Sequence, residues 1–164
     1  MKLEFLDNFK DPYLGTTEGR GVFLSGVVLG MLALAQTPPG GTIDAAPIYK
    51  QLNFGRMRRR DIRIHMSRVS TLIDVYVKDL SPDKETDSDS ADVKGTFKIK
   101  DYAGFAQMLK SLAAQSGEML LSCGERDLGV DGNFTFSIAF LNAPDYFWKI
   151  FKKKEGGLIF HVIQ

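Results

Sequence analysis

Five arginines, Arg56, Arg58, Arg59, Arg60 and Arg63, fall within eight residues, and Asp61 is the only acid among them. Arg68 follows shortly after. If a helix begins near Met57, Arg59, Arg60 and Arg63 project from its first turns. Cations at a helix N-terminus oppose the positive end of the helix dipole. A phosphate would reverse that penalty, because free backbone N–H groups and guanidinium forks would both point at the anion. These six arginines are therefore candidates for contacting a phosphate backbone. The plainer readings are a solvated face, or ion pairs to an acidic segment further along the chain.

A second cationic segment, WKIFKKKEGG, carries Lys149, Lys152, Lys153 and Lys154. Lysines act as mobile point charges. The apolar residues between them, Phe147, Trp148, Ile150 and Phe151, read as core more readily than as base-stacking groups. Asn and Gln residues are not grouped with the arginines. Any nucleic-acid binding would thus be directed at the backbone, insensitive to sequence and sensitive to salt.

Other chemistry is sparse. His65 and His161 lack a ligand partner at helical spacing. There is no HExxH, no CxxC pair, no GxxxxGK[ST] loop and no GxSxG elbow. EGRGVFLSG, residues 18–26, does not follow a strand pattern and is discounted as a phosphate loop. The lone Cys123 excludes an internal disulfide and reads as a small apolar residue on a helix. No catalytic residue, metal ligand or cofactor is assigned, and the expectation is a protein that is not an enzyme.

The elements that must position these cations are helical. Thr16 or Thr17 caps a helix running to Gln36, with Glu18 near its positive end. This helix is apolar nearly all round, which marks one buried in the middle of a structure. Gly26 and Gly30 share a face and admit a close neighbour. The apolar run Val22–Ala35 has fourteen residues, short of the about 20 that span a bilayer. The N-terminus has no apolar signal region. A soluble protein of the cytoplasm, with no membrane partner, is expected.

TPPGG, residues 37–41, stops that helix. A short segment follows over residues 43–52, with Pro47 admissible in a first helical turn. A helix is then expected from Arg58 to Leu80, because Ile62, Met66, Val69, Ile73, Tyr76 and Leu80 form one stripe. Residues 81–95 form an acidic linker expected to be disordered. A further helix spans about 101–123, with Tyr102, Phe105, Leu109, Leu112, Ser116 and Met119 on its inner face. Residues 133–141 alternate like a strand, but no partner strand is evident, so helix is favoured. Pro144 opens a final helix reaching about Gly156, and residues 158–164 form an apolar tail. The fold class is all-α: a single bundle of five or six helices in one domain over 1–164.

The formal net charge is only +1, which taken alone argues against nucleic acid. Residues 81–92, however, hold five acids and one lysine. Without them the chain stands at +5, so neutrality is a sum over a basic bundle and an acidic segment.

Three stretches in this order, FLSGVVLGMLALAQ, IYKQLNFGRMRRRDIRIHMSRV and FTFSIAFLN…FWKIFKKKE, carry a family likeness. The chain resembles the C-terminal region of the large subunit of type I-B CRISPR surveillance complexes (Cascade), over about residues 16–155. The most telling pieces are F-x-x-G-x-x-x-G, here Phe23, Gly26 and Gly30, and L-N-F-x-x-M-x-x-x-D-I from Leu52 to Ile62. In that family the region is also made as a separate small subunit from an internal start, and Met1 looks like such a product. The resemblance implies an all-helical, non-catalytic protein that contacts the guide–target heteroduplex or the displaced strand. Its implied partners are CRISPR RNA, target DNA, the large and backbone subunits of Cascade, and further copies of itself. Type I-D small subunits are a close alternative. No contact residue is carried over from the family, and the long acidic linker departs from its pattern. From another class, the competing expectation is a helical interaction subunit whose arginines meet an acidic protein.

Overall fold

The computed structural model describes residues 2–79, 102–124 and 127–151. The acidic linker 81–95, Leu80, Lys152, Lys153, Lys154 and the tail 158–164 lie outside the described residues, as do the side chains of Tyr76 and Tyr102. The described chain is an all-α bundle. A 3₁₀ turn, Glu4–Phe9, leads into α1 (Thr17–Gln36). A second 3₁₀ turn, Ile43–Ala45, precedes α2 (Pro47–Gln51), which opens on its proline. Then come α3 (Arg59–Ser67), α4 (Val69–Asp79), α5 (Tyr102–Leu121), α6 (Gly129–Leu141) and α7 (Ala143–Ile150).

The centre is α1. Thr16 caps it, its hydroxyl accepting from the Gly19 N–H at 3.0 Å. Every residue from Gly21 to Ala33 is buried, and α5, α6 and α7 pack round it. By length and composition alone α1 would also span a membrane, since the helix extends beyond the Val22–Ala35 run. In this fold it is the core helix, covered by the other helices of the bundle.

The two spaced glycines set the closest contact. A Cβ on Gly26 would sit 2.8 Å from both the Ala139 Cβ and the Phe136 carbonyl oxygen. One on Gly30 would sit 2.6 Å from the Ala143 Cβ. Glycine therefore lets the α6 backbone lie directly on α1. Gly26 meets Phe136 and Gly30 meets Phe140, so α6 runs parallel to α1. The α6–α7 corner then turns the chain back: Ala143 lies at Gly30 and Tyr146 at Phe23, their rings 4.9 Å apart.

Helix α5 runs antiparallel to α1, with Ser116 opposite Ser25 and Leu120 opposite Gly21. The Ser25 and Ser116 hydroxyls lie against each other, and both stand at the Gly21 carbonyl, at 2.8 and 2.9 Å; with one proton each, one donates to the carbonyl and the other to its neighbour's oxygen. This shared knot satisfies two hydroxyls that are fully buried. Phe105, Leu109, Leu112 and Ser116 are buried on the expected inner face, whereas Met119 is half-buried and Leu120 takes the interior place.

Two boundaries differ from the sequence reading. The helix expected over 58–80 breaks at Arg68, whose N–H bonds to the His65 and Met66 carbonyls and ends α3. Ile62, Val69 and Ile73 are still buried on one side, so the stripe survives a break that periodicity alone does not register. The final helix, expected to reach Gly156, ends at Ile150 within the described residues. Residues 133–141 are helical, and no strand exists among the described residues. A single bridge, Arg58 to Asp127, is the nearest approach to one.

Candidate nucleic-acid interface

The arginine segment is pinned before it is charged. Met57 is buried, its N–H donates to Asn133 Oδ1 at 2.7 Å, and its carbonyl accepts from Leu128 N–H at 3.1 Å. Ile62, buried one turn into α3, holds the other end. Asp61 accepts from the Arg58 N–H at 3.1 Å, placing a carboxylate in the first turn where the dipole favours it.

Arg59, one of the six arginines singled out in the sequence, points inward. Its side chain is 12% exposed. It pairs with Glu18 in the first turn of α1 and donates to the Gly124 carbonyl just after α5, at 2.7 Å. The cation at the start of α3 is thus compensated from within the protein by a carboxylate and a carbonyl. Arg59 ties together the start of α3, the start of α1 and the end of α5. Tyr13 borders this junction. Burial, followed by the Glu18 carboxylate, pushes its phenol well above the ordinary range, while Arg59 pulls the other way. The phenol stays neutral, and its hydroxyl abuts Gly132 of α6.

The remaining arginines separate by exposure. Arg56, Arg58, Arg60 and Arg68 are exposed, and Arg63 is half-buried and engaged with neighbouring groups. Arg58 approaches Asp127 at 3.6 Å, with both side chains more than half exposed, a pair held loosely enough to open. His65 adds no charge at neutral pH: burial first, then Arg68, hold its imidazole below the usual value, against the pull of Asp61.

Lys149 is exposed and lies 5.6 Å above the Tyr146 ring, a cation–π contact. Phe147 and Ile150 are core residues, and Trp148 and Phe151 are half-buried against it. Because α7 runs back along α1, Lys149 heads toward the end of the bundle where α3 begins. Lys149, distant in sequence from the arginines, thus approaches the end that holds the start of α3. Cys123 is half-buried, its thiol 3.6 Å from the Met119 carbonyl. No three His, Cys, Asp or Glu side chains converge among the described residues.

A feature the sequence reading missed lies beside Arg56. An open groove of about 550 Å³ runs between the loop holding Phe54, Gly55 and Arg56 and the outer face of α6. Its α6 wall includes Val130 and Phe134, which are 86% and 63% exposed. In the sequence Phe134 belongs to the alternating apolar set of residues 133–141. The helical period would have exposed it: Gly132, Thr135, Phe136, Ala139 and Phe140 form the buried face, and residue 134 lies opposite.

An all-α bundle with arginines fixed at one end is the class that fold and site define. Over residues 2–153 the chain matches the family model described as CRISPR-associated protein TM1802 (cas_TM1802) C-terminal domain. The protein belongs to that family and has a CRISPR-related role. Neither the curated proteins nor the solved structures gave a match.

Proposed function

We propose that the protein is a non-catalytic subunit of a CRISPR RNA-guided DNA-targeting complex, bracing the R-loop through contacts to nucleic-acid backbone. The observation that carries this reading is the exposure of Arg56, Arg58, Arg60 and Arg68 on a segment anchored by buried Met57 and Ile62, in a chain of a CRISPR-associated family. Arg59 supports the site from inside, and Lys149, with Lys152, Lys153 and Lys154, forms the second group. The small-subunit role in type I-B, or in the related type I-D complexes, follows the sequence resemblance. So do a cytoplasmic location and the partners: CRISPR RNA, target DNA, the other Cascade subunits and further copies of the chain.

In guided systems base pairing reads the sequence, while protein supplies a positive channel and senses geometry. The exchange of duplexes is nearly balanced, so a few phosphate contacts decide whether the displaced strand stays open. Reversing Arg56, Arg58 and Arg60 to Glu shortens the R-loop lifetime of the assembled complex and leaves helical content intact. An unchanged lifetime overturns the reading. The second reading is an acidic protein partner at the same face, which the loose Arg58–Asp127 pair favours, since that face already accepts a carboxylate. Absence of DNA affinity at low salt, alone and assembled, selects it.

A further inference from the structure

The groove beside Arg56 combines three properties. Its inner wall is aromatic: Phe54 is held at 5.1 Å from both Tyr49 and Phe140, ring to ring. Its outer wall is Phe134, presented to solvent on α6. At its rim stand the exposed guanidinium of Arg56 and the Asp127 carboxylate, the latter partly neutralised by Arg58. The floor is rigid, because the Asn133 amide accepts from Met57 and donates to the Gly129 carbonyl, and Ser137 donates to the Asn133 carbonyl.

We infer that this groove is a stacking pocket for an unpaired nucleotide of a single strand, with the base against Phe134 and Phe54 and the phosphate at Arg56. A nucleotide is a flat apolar face joined to an anion, and the groove offers an aromatic face next to a cation. The volume lies within the roughly 300–1,000 Å³ of small-ligand clefts. Leu141 is exposed on the same α6 face but does not line the groove. The cleft therefore suits one or two planar groups rather than a length of helix laid along α6. A base inside a duplex has no free face to offer, so the pocket makes the protein prefer single strands. The inference rests on the backbone-binding reading and adds a strand preference to it.

The test uses the full chain at low salt, with labelled oligothymidine of about 20 nucleotides, more than one stacking protein domain covers, and a duplex of the same length. Wild type binds the single strand more tightly than the duplex. Phe134→Ala lowers single-strand affinity about tenfold, as loss of one stacked base does, and leaves duplex affinity unchanged. Phe134→Trp restores it. Phe134 is exposed, so the variants keep their helical content, which circular dichroism checks. If Phe134→Ala changes neither affinity while Arg60→Glu weakens both, the pocket is refuted and backbone binding stands. If wild type binds neither strand, alone and assembled, both readings fall. If Phe134→Ala spares single-strand affinity but blocks association with another Cascade subunit, the groove holds protein and the inference is wrong.

Discussion

Arg59 is the side chain whose role is most sharply defined by its surroundings. Its pair with Glu18 is largely buried, at 12% and 25% exposed. Removing one partner strands the other where water cannot fully repay it. Glu18→Ala is therefore expected to cost about 1–3 kcal/mol in a chemical unfolding curve. Arg60→Ala, at an exposed position, stays within about 0.5 kcal/mol. His65 sets the pH response at this scale. Its folded pKa lies below the usual 6.5, mainly through burial, so protonation favours the unfolded chain. The stability it contributes is complete above the unfolded value and declines as pH falls through the folded one. Unfolding midpoints measured on descending pH should drop below about 6.5, and His65→Gln should flatten that drop. The arginine cluster is legible in sequence. The inward turn of Arg59 is not, because Glu18 and Gly124 reach it only through the packing of α1 and α5.

Between elements, the contact of α1 with α6 and α7 is set by two missing Cβ atoms. Gly26→Ala and Gly30→Ala would drive a methyl group into backbone and side-chain atoms of the neighbouring helices. Overpacking of this kind costs about 1–3 kcal/mol. Gly117, inside α5, has nothing within 4 Å of an added Cβ. Gly117→Ala should instead stabilise by about 0.5–1 kcal/mol, the ordinary helix-interior gain. Thermal unfolding of the three variants distinguishes contact from propensity. The glycine spacing and the Thr16 cap stand plainly in the sequence because both are local. The break at Arg68 does not, since the apolar stripe continues through it. The orientation of α6 is also hidden. Apolar residues occupy both parities of 134–141, and only the burial of Gly132, Thr135, Phe136, Ala139 and Phe140, with Ala139 against Gly26 of α1, turns Phe134 outward.

For the whole molecule, the layout of charge matters more than its total. The starts of α1, α3 and α6 and the end of α5 meet at one end of the bundle, and α7 returns toward it. Their packing anchors the arginine segment there, with Arg56, Arg58 and Arg60 facing solvent, and Arg68 is exposed at the far end of α3. The central claim is that this end binds phosphate backbone, and salt titration of DNA affinity tests it most directly. About four contacts predict a log–log slope near −3 to −4 for the full chain, and each of Arg56→Ala, Arg60→Ala and Arg68→Ala reduces its magnitude by about one. A slope that these substitutions leave unchanged, or no DNA affinity even at low salt, would contradict the account.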